Sequence, residues 1–147
     1  MSKSNVLLYQ KKAERQEAKN QVNSRVTINA FIEKYSEWMR VVNFSETTIE
    51  GKKDDLARFA LWCEERSVDE ITQVTPSLLE RYQKYLYYYR NAVTGRPLST
   101  SSQSGELSTI RTFFKWLARK HFLSYNPASE VDLPKVSKQL PRFVLTS

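Results

Sequence analysis

The stretch that decides the fold runs from Ser99 to Asn126 and reads S-T-S-S-Q-S-G-E-L-S-T-I-R-T-F-F-K-W-L-A-R-K-H-F-L-S-Y-N. From Leu107 onward, its apolar residues recur with the period of a helix that buries one face. The stripe predicted to be buried consists of Leu107, Ile110, Phe114, Leu117, Ala118 and His121. This pattern predicts an amphipathic helix near the end of the chain.

A second face of the same helix carries only hydroxyl groups and cations. At about 100° per residue, this face collects Ser108, Arg111, Thr112, Lys115 and Arg119, with no acidic residue among them. A face that is merely solvated normally mixes both signs of charge. The composition therefore favours contact with the phosphate oxygens or base edges of nucleic acid.

Composition limits the class of protein. The chain has 147 residues, enough for one domain, and only three glycines, which argues against an all-β fold rich in tight turns. Its single cysteine, Cys63, excludes an internal disulfide framework and fits a reducing cytoplasm. Cys63 has no His or Cys neighbour at ligand spacing, so we assign it to packing and expect no metal or cofactor. No apolar run approaches the roughly 18 residues needed to span a bilayer.

The net charge of +7 is unevenly distributed. Positive charge concentrates in residues 1–26 and 111–147, whereas residues 27–110 are mildly acidic. This distribution indicates a polyanion held by particular segments of the chain.

Four blocks with an uninterrupted helical period, separated by cap signals, predict an all-α bundle. We expect its main helices near residues 27–43, 46–66, 76–91 and 105–122. The last helix should begin at Glu106 with Ser104 as its cap, because Gly105 weakens helix initiation by roughly 1 kcal/mol relative to Ala.

Outside the helices, the chain divides into three expected parts. Residues 1–25 form a polar basic arm, residues 26–133 the helical domain, and residues 134–147 a linker to a catalytic domain absent from the sequence. We expect residues 1–20 and 135–147 to be loosely ordered.

The third helix carries the run Y-L-Y-Y-Y at positions 85–89. Its predicted buried side consists of Leu78, Leu79, Tyr82, Tyr85, Leu86 and Tyr89. The run has more rings than one stripe can bury, so Tyr87 or Tyr88 should be partly exposed. Such rings can stack on a base or meet a partner, although loosely packed surface tyrosines are the commoner outcome.

The order of these signals resembles the N-terminal core-binding domain of the tyrosine recombinase (phage integrase) family. The matching pieces are F-I-E-K-Y-S-E-W-M, S-E-T-T-I, L-S-T-I-R-T-F-F-K-W-L, N-P-A-S-E-V-D-L-P-K and Q-L-P-R-F-V-L-T, within about residues 27–147. The resemblance implies a four-helix, SAM-like orthogonal bundle with a flexible N-terminal arm and a C-terminal linker. It also implies that the second and fourth predicted helices, near residues 46–66 and 105–122, cross the DNA backbone and major groove.

The function implied is a cytoplasmic, double-stranded DNA-binding module of bacterial or phage origin that holds a recombination half-site for DNA integration or recombination. Self-association in a recombination synapse is left open, and no membrane partner is expected. The residues expected to face DNA are Thr48, Lys52, Lys53, Ser99, Ser101, Ser102, Ser108, Arg111, Lys115 and Arg119. Arg111 is the best candidate for reading a guanine edge, whereas Lys115 and Arg119 fit phosphate contacts. Two positions depart from the family, which usually has an aromatic residue at Lys52 and often a basic one near Gly105.

The family's strand-transfer chemistry uses an Arg, a Lys, an H-x-x-R motif and a Tyr nucleophile in the domain that follows. Here His121 is followed by F-L-S, and none of the eight tyrosines lies in a matching context. We therefore carry over no catalytic residue. We expect that this fragment is not an enzyme and that its parent protein is a tyrosine recombinase.

Two other interpretations stay open at this point. The first is a helical protein–protein interaction module without a specific DNA site, whose basic ends confer solubility. The second is a stand-alone regulator with a helix-turn-helix, ranked lower because the predicted loops exceed the usual turn of about three or four residues.

Overall fold

The computed structural model describes residues 6–15 and 27–136. These residues form helix α1 (residues 6–15), α2 (Ile28–Val41), α3 (Glu46–Glu64), α4 (Pro76–Tyr88) and α5 (Thr100–Arg119). A 3-10 turn at Ile71–Gln73 precedes α4, and two isolated β-bridges are the only strand-like pairings in the part described. The all-α class and the four main helices are thus confirmed. Residues 6–15 were expected to be loosely ordered; they form helix α1, whose side chains are all exposed. The expected loose order of residues 1–5, 16–20 and 137–147 lies outside the described residues.

Each of the four larger helices begins with a hydroxyl side chain that accepts a hydrogen bond from the backbone N–H three residues later. The capping residues are Thr27, Ser45, Thr75 and Ser99, with donor–acceptor distances of 3.0 to 3.2 Å. Such caps satisfy amide groups that the helix itself leaves unpaired. Pro76 occupies the first position of α4, where its missing N–H has no cost.

The predicted start of the last helix was wrong. Helix α5 begins at Thr100 with Ser99 as its cap, so the serine-rich segment, which the prediction left outside the helix, forms the first turn. The buried side chain of Gln103 donates to the carbonyl oxygen of Leu98 at 3.0 Å and secures this turn. The cap at Ser99 and this bond offset the helix penalty of Gly105.

The predicted burial of His121 was also wrong, because α5 ends before it. His121 is exposed and has a φ of 63°, the left-handed conformation that terminates helices. The amide of Phe122 then donates to Leu117 O at 2.9 Å, and that of His121 donates to Ala118 O at 3.1 Å. This pair of bonds is a Schellman motif. Asn43, with a φ of 70°, ends α2 in the same way.

Helix α5 lies at the centre of the bundle and contacts α2, α3 and α4. Its buried apolar residues are Leu107, Ile110, Phe113, Phe114, Trp116 and Leu117. Tyr35 of α2 packs on Phe113 and Trp116, with ring centroids 5.3 and 5.1 Å apart. The core also encloses Cys63, and burial raises the pKa of its thiol to about 12, which supports its assignment to packing.

A buried polar network joins α3, α4 and α5 at Glu106, whose exposed fraction is only 5%. Its carboxylate accepts from the Tyr82 hydroxyl at 2.7 Å and from Arg58 Nη2 at 3.0 Å. Asp55 pairs with the same guanidinium and accepts from the Thr109 hydroxyl at 2.8 Å. The pKa of Glu106 is raised to about 7, chiefly because burial disfavours the charged carboxylate. The hydrogen bonds from Tyr82 and Arg58 favour the charged form and lower this pKa, whereas nearby Asp55 raises it further.

Replacing Glu106 with Gln should flatten the pH dependence of stability. The usual pKa near 4.5 applies to the unfolded chain, and the folded value is higher, so the folded state holds the extra proton. Stability from this group is therefore fully present below pH 4.5 and is lost as the pH rises through about 7. By linkage, the loss is of the order of 3 kcal/mol.

Urea unfolding between pH 4.5 and 8 measures this slope. Glu50→Gln removes an exposed carboxylate of α3 and serves as the matched control, which should keep the wild-type slope. A Glu106→Gln protein with the wild-type slope would show that another group titrates.

Candidate nucleic-acid interface

The exposed side of α5 forms a continuous surface without acidic residues, hereafter the α5 polar face. Its members are Ser101, Ser104, Gly105, Ser108, Arg111, Thr112, Lys115 and Arg119, all exposed or half-buried. Because α5 has 20 residues, this face extends for about 30 Å. The single acid of α5, Glu106, points into the core.

A cleft of about 380 Å³ opens along the middle of the α5 polar face. Ser108, Arg111 and Lys115 line it, so the structure brings these three predicted site residues together. The opposite wall is the turn from Asn126 to Ser129, held by a 2.9 Å bond from Ala128 N to Asn126 Oδ1.

Asn126 and Ser129 were missed as site residues. Asn-Pro pairs favour turns, but only the packed structure shows that this turn lies beside α5. Pro127 and Ala128 are buried and anchor it there. The turn adds amide and hydroxyl groups to the cations of the cleft.

The two central cations of the α5 polar face are free to meet an anion. Among residues 6–15 and 27–136, neither Arg111 nor Lys115 forms an ion pair. Both side chains are exposed. Their charge is therefore uncompensated locally, which creates a positive potential along the cleft.

Arg119 lies outside the cleft, although it belongs to the same helical face. Its guanidinium carbon is 5.4 Å from the centroid of the Trp38 ring, the geometry of a cation–π contact. Trp38 in turn packs on Trp116 at 5.9 Å. Arg119 thus connects the end of α5 to α2 while it stays exposed.

The first turn of α5 contributes less to this surface than predicted. The Ser99 hydroxyl donates to Ser102 Oγ at 2.9 Å, and its oxygen accepts the helix-capping bond. Ser102 and Arg111 are nine positions apart, or about half a turn around the helix axis. Ser102 lines another cleft together with Glu106, whereas Ser101 lies on the α5 polar face.

The three predicted site residues of α3, Thr48, Lys52 and Lys53, do not lie on one surface. Lys53 is directed toward α2, where its Nζ lies 3.3 Å from Glu33 Oε1. Thr48 accepts a 2.8 Å bond from the Ser45 hydroxyl in the first turn of α3.

Lys52 is half-buried and lies one turn before Asp55, which contacts α5. Arg58 contacts Glu106 and Asp55 contacts Thr109, so α3 and α5 pack side by side in antiparallel directions. The same spacing, continued by one turn, places Lys52 opposite Thr112.

Gly105 is a glycine that the fold itself does not require. A Cβ atom built there meets nothing within 4 Å, and its φ is not left-handed, unlike that of Gly95 at 68°. Glycine in a helix interior costs roughly 1 kcal/mol relative to Ala. On the α5 polar face, a missing side chain lets a ligand approach the helix backbone closely.

Gly105→Ala should therefore raise the free energy of unfolding by about 0.5–1 kcal/mol, because the methyl group enters open space and Ala favours the helix. Thermal or urea unfolding followed by circular dichroism measures the change. Gly95→Ala is the matched control and should destabilise, since its φ of 68° strains an L-residue. A destabilised Gly105→Ala protein would contradict the open face.

Two negative observations hold for the residues that the structure describes. None of their helices has the length and apolar character needed to cross a membrane. No three His, Cys, Asp or Glu side chains among them are grouped so as to hold a metal ion.

Residues 28–121 match the family described as phage integrase, N-terminal SAM-like domain. The chain is 42% identical over 123 residues to tyrosine recombinase XerC 2 of Ralstonia nicotianae, and 32% identical over 120 residues to tyrosine recombinase XerC of Leptospira interrogans. These alignments cover 84% and 81% of the chain. They cover only 35% and 36% of the relatives, so the chain spans about a third of their length.

Two solved structures share the fold. The N-terminal domain of a phage integrase/site-specific recombinase from Haloarcula marismortui has a TM-score of 0.63 at 19% identity, over 74% of this chain and 97% of that one. The integrase from mycobacterium phage Brujita has a TM-score of 0.59 at 19% identity, over 76% of this chain and 34% of that one. The SAM-like arrangement predicted from the sequence is confirmed.

Proposed function

The chain belongs to the phage integrase family, in which it is an N-terminal SAM-like domain, and on that basis we propose that it binds double-stranded DNA. Its role is to hold a recombination half-site for a tyrosine recombinase that carries out DNA integration or recombination. The observation that carries the proposal is the α5 polar face, a surface about 30 Å long without acidic residues. The relatives named above from Ralstonia and Leptospira are bacterial proteins, which supports a cytoplasmic setting.

The two halves of the α5 polar face suit different parts of a duplex. The first half carries small side chains at Ser101, Ser104 and Gly105, so the helix can approach DNA closely. The second half carries the cations. A major groove about 12 Å wide accepts an α-helix, and cations at its edges reach the phosphates.

Arg111 is the candidate for base recognition, because it lies in the middle of the α5 polar face and presents a fork of donors that matches a guanine edge. Lys115 is the candidate phosphate contact, and the register of α3 supports the same role for Lys52. Asn126 and Ser129 offer further donors to phosphate beside Arg111.

For the α5 polar face, the interpretation as a protein–protein interaction module is less well supported. The centres of protein interfaces are rich in aromatic residues and poor in charge. The α5 polar face has no apolar side chain among its members. Self-association in a synapse stays a prediction.

The loop between α2 and α3 is short enough for a helix-turn-helix, contrary to the prediction. Four residues, 42–45, join α2 to α3, so loop length alone does not exclude this motif. However, a helix-turn-helix reads DNA with the second helix of the pair. The acid-free surface lies on α5, whose connection from α4 is long. The core-binding interpretation therefore remains preferred.

Arg111→Ala should weaken binding to the preferred duplex by about 1–3 kcal/mol and relax the preference at one base pair. Lys115→Ala should weaken binding to all duplexes alike and lower the slope of log K against log salt by about one unit. Titration of labelled duplexes, enriched by selection from a random pool, at several salt concentrations measures both effects.

Lys84→Ala serves as the control, because Lys84 is an exposed cation of α4, and α4 packs through Tyr82 on the side of α5 that carries Glu106, away from the α5 polar face. It should keep the wild-type duplex affinity and salt slope. If the Arg111 and Lys115 variants bind like the wild type, the α5 polar face is not the duplex-binding surface. Affinity that does not respond to salt would instead favour the protein-interaction module.

We expect no strand cleavage by this chain. A tyrosine hydroxyl, with a pKa of about 10, is a poor nucleophile unless a general acid and base activate it. The only histidine, His121, terminates α5 and is exposed. Incubation with nicked suicide duplexes, followed by denaturing electrophoresis, should show no covalent protein–DNA adduct. An adduct at any tyrosine would overturn this expectation.

A further inference from the structure

A second cationic surface lies where the end of α3 meets α4. Its members are Arg66, Arg81, Lys84, Tyr85, Tyr88 and Arg90, hereafter the tyrosine–arginine patch. They surround an open depression of about 570 Å³, and no acidic side chain of the described residues lines it. Cations and aromatic rings thus share one shallow surface.

This patch is separate from the α5 polar face. Tyr82 contacts Glu106, so α4 packs on the side of α5 that carries Glu106. Glu106 and Lys115 are nine positions apart, which places them on opposite sides of the helix. A ligand on the patch and a duplex on the α5 polar face would therefore occupy opposite sides of α5.

The tyrosine rings of the patch are open to solvent. Tyr88 is 70% exposed and Tyr85 is 40% exposed. Burial of Tyr85 was predicted from its helical position, and this prediction was wrong. The Tyr85 ring packs from outside on Tyr82, with ring centroids 5.7 Å apart, and on Trp62, at 6.1 Å. Partial exposure of Tyr87 or Tyr88 was predicted, and the structure shows both rings exposed.

Two guanidinium groups of the patch are held in fixed positions. Arg66 lies 4.0 Å from the Trp62 ring centroid and donates to Trp62 O at 2.9 Å; its ion pair with exposed Glu65 is long, at 3.7 Å. Arg90 donates to the carbonyl oxygen of Tyr89 at 2.8 Å, at the end of α4. A fixed guanidinium loses little freedom when it binds an anion.

The other two cations, Arg81 and Lys84, are exposed and form no ion pair within the described part of the chain. They lie three positions apart on α4, so they are neighbours on the helix surface. Tyr85 and Tyr88 are spaced in the same way. One row of cations thus runs beside one row of rings.

We propose that the tyrosine–arginine patch binds single-stranded nucleic acid. Phosphates would lie on Arg81 and Lys84, while unpaired bases stack on Tyr85, Tyr88 and the guanidinium plane of Arg66. Exposed rings favour this ligand over a duplex, in which the bases are already stacked on one another and their faces are hidden. The proposal does not depend on duplex binding by α5.

Fluorescence anisotropy of a labelled oligothymidylate of roughly ten nucleotides, titrated with the whole chain, tests the proposal. Combined replacement of Arg81 and Lys84 by Ala should weaken binding about tenfold or more and lower the salt slope by about one unit. Tyr88→Ala should also weaken binding about tenfold, whereas Tyr88→Phe should keep the affinity because the ring face remains. All three side chains are exposed, and circular dichroism verifies that each variant is folded.

Lys115→Ala is the matched control, which should keep oligothymidylate binding while it weakens duplex binding. The proposal is overturned if the Arg81/Lys84 and Tyr88 variants bind the oligonucleotide like the wild type. It is also overturned if Lys115→Ala abolishes binding of both ligands, since one surface would then serve both. Equal competition by polyglutamate would indicate a protein partner and contradict it as well.

Discussion

The arrangement of the helices depends on the hydrogen bonds to the buried carboxylate of Glu106. It belongs to α5, and it accepts hydrogen bonds from Tyr82 of α4 and Arg58 of α3. A buried carboxylate that loses its partners is strongly destabilising, so both donors must be present in the folded state. Helix α5 cannot turn about its axis without breaking these bonds, and its rotation relative to α3 and α4 is therefore fixed.

Fixing this rotation decides which groups reach solvent. The only acidic residue of α5 is buried inside the bundle, and the outward side carries Arg111 and Lys115 with several small hydroxyl residues. The same contact directs Tyr82 inward on α4, which leaves Tyr85 and Tyr88 at the surface. One buried network thus determines the character of two surfaces on opposite sides of α5.

Local signals predicted most of the fold, whereas the candidate site depended on contacts between distant residues. The cap at Thr75 involves atoms within three residues, so the sequence pattern identified it. The start of α5 was misplaced, because Ser99 competes with later serines as a cap and buried neighbours stabilise the early turns. Whether Lys53 is free depends on Glu33 in another helix, and the position of Asn126 beside α5 depends on tertiary packing. The spacing of residues along the sequence predicts neither of these two contacts.

The burial of Cys63 has a practical consequence for mapping these surfaces. It is the only cysteine of the chain, it is fully buried, and its pKa of about 12 leaves almost no thiolate at neutral pH. A new cysteine at an exposed position such as Ser101 or Ser129 would then be the sole site to react with a maleimide. Spin labels, fluorophores or photo-crosslinkers can therefore be attached on a chosen side of the bundle without removing a native thiol.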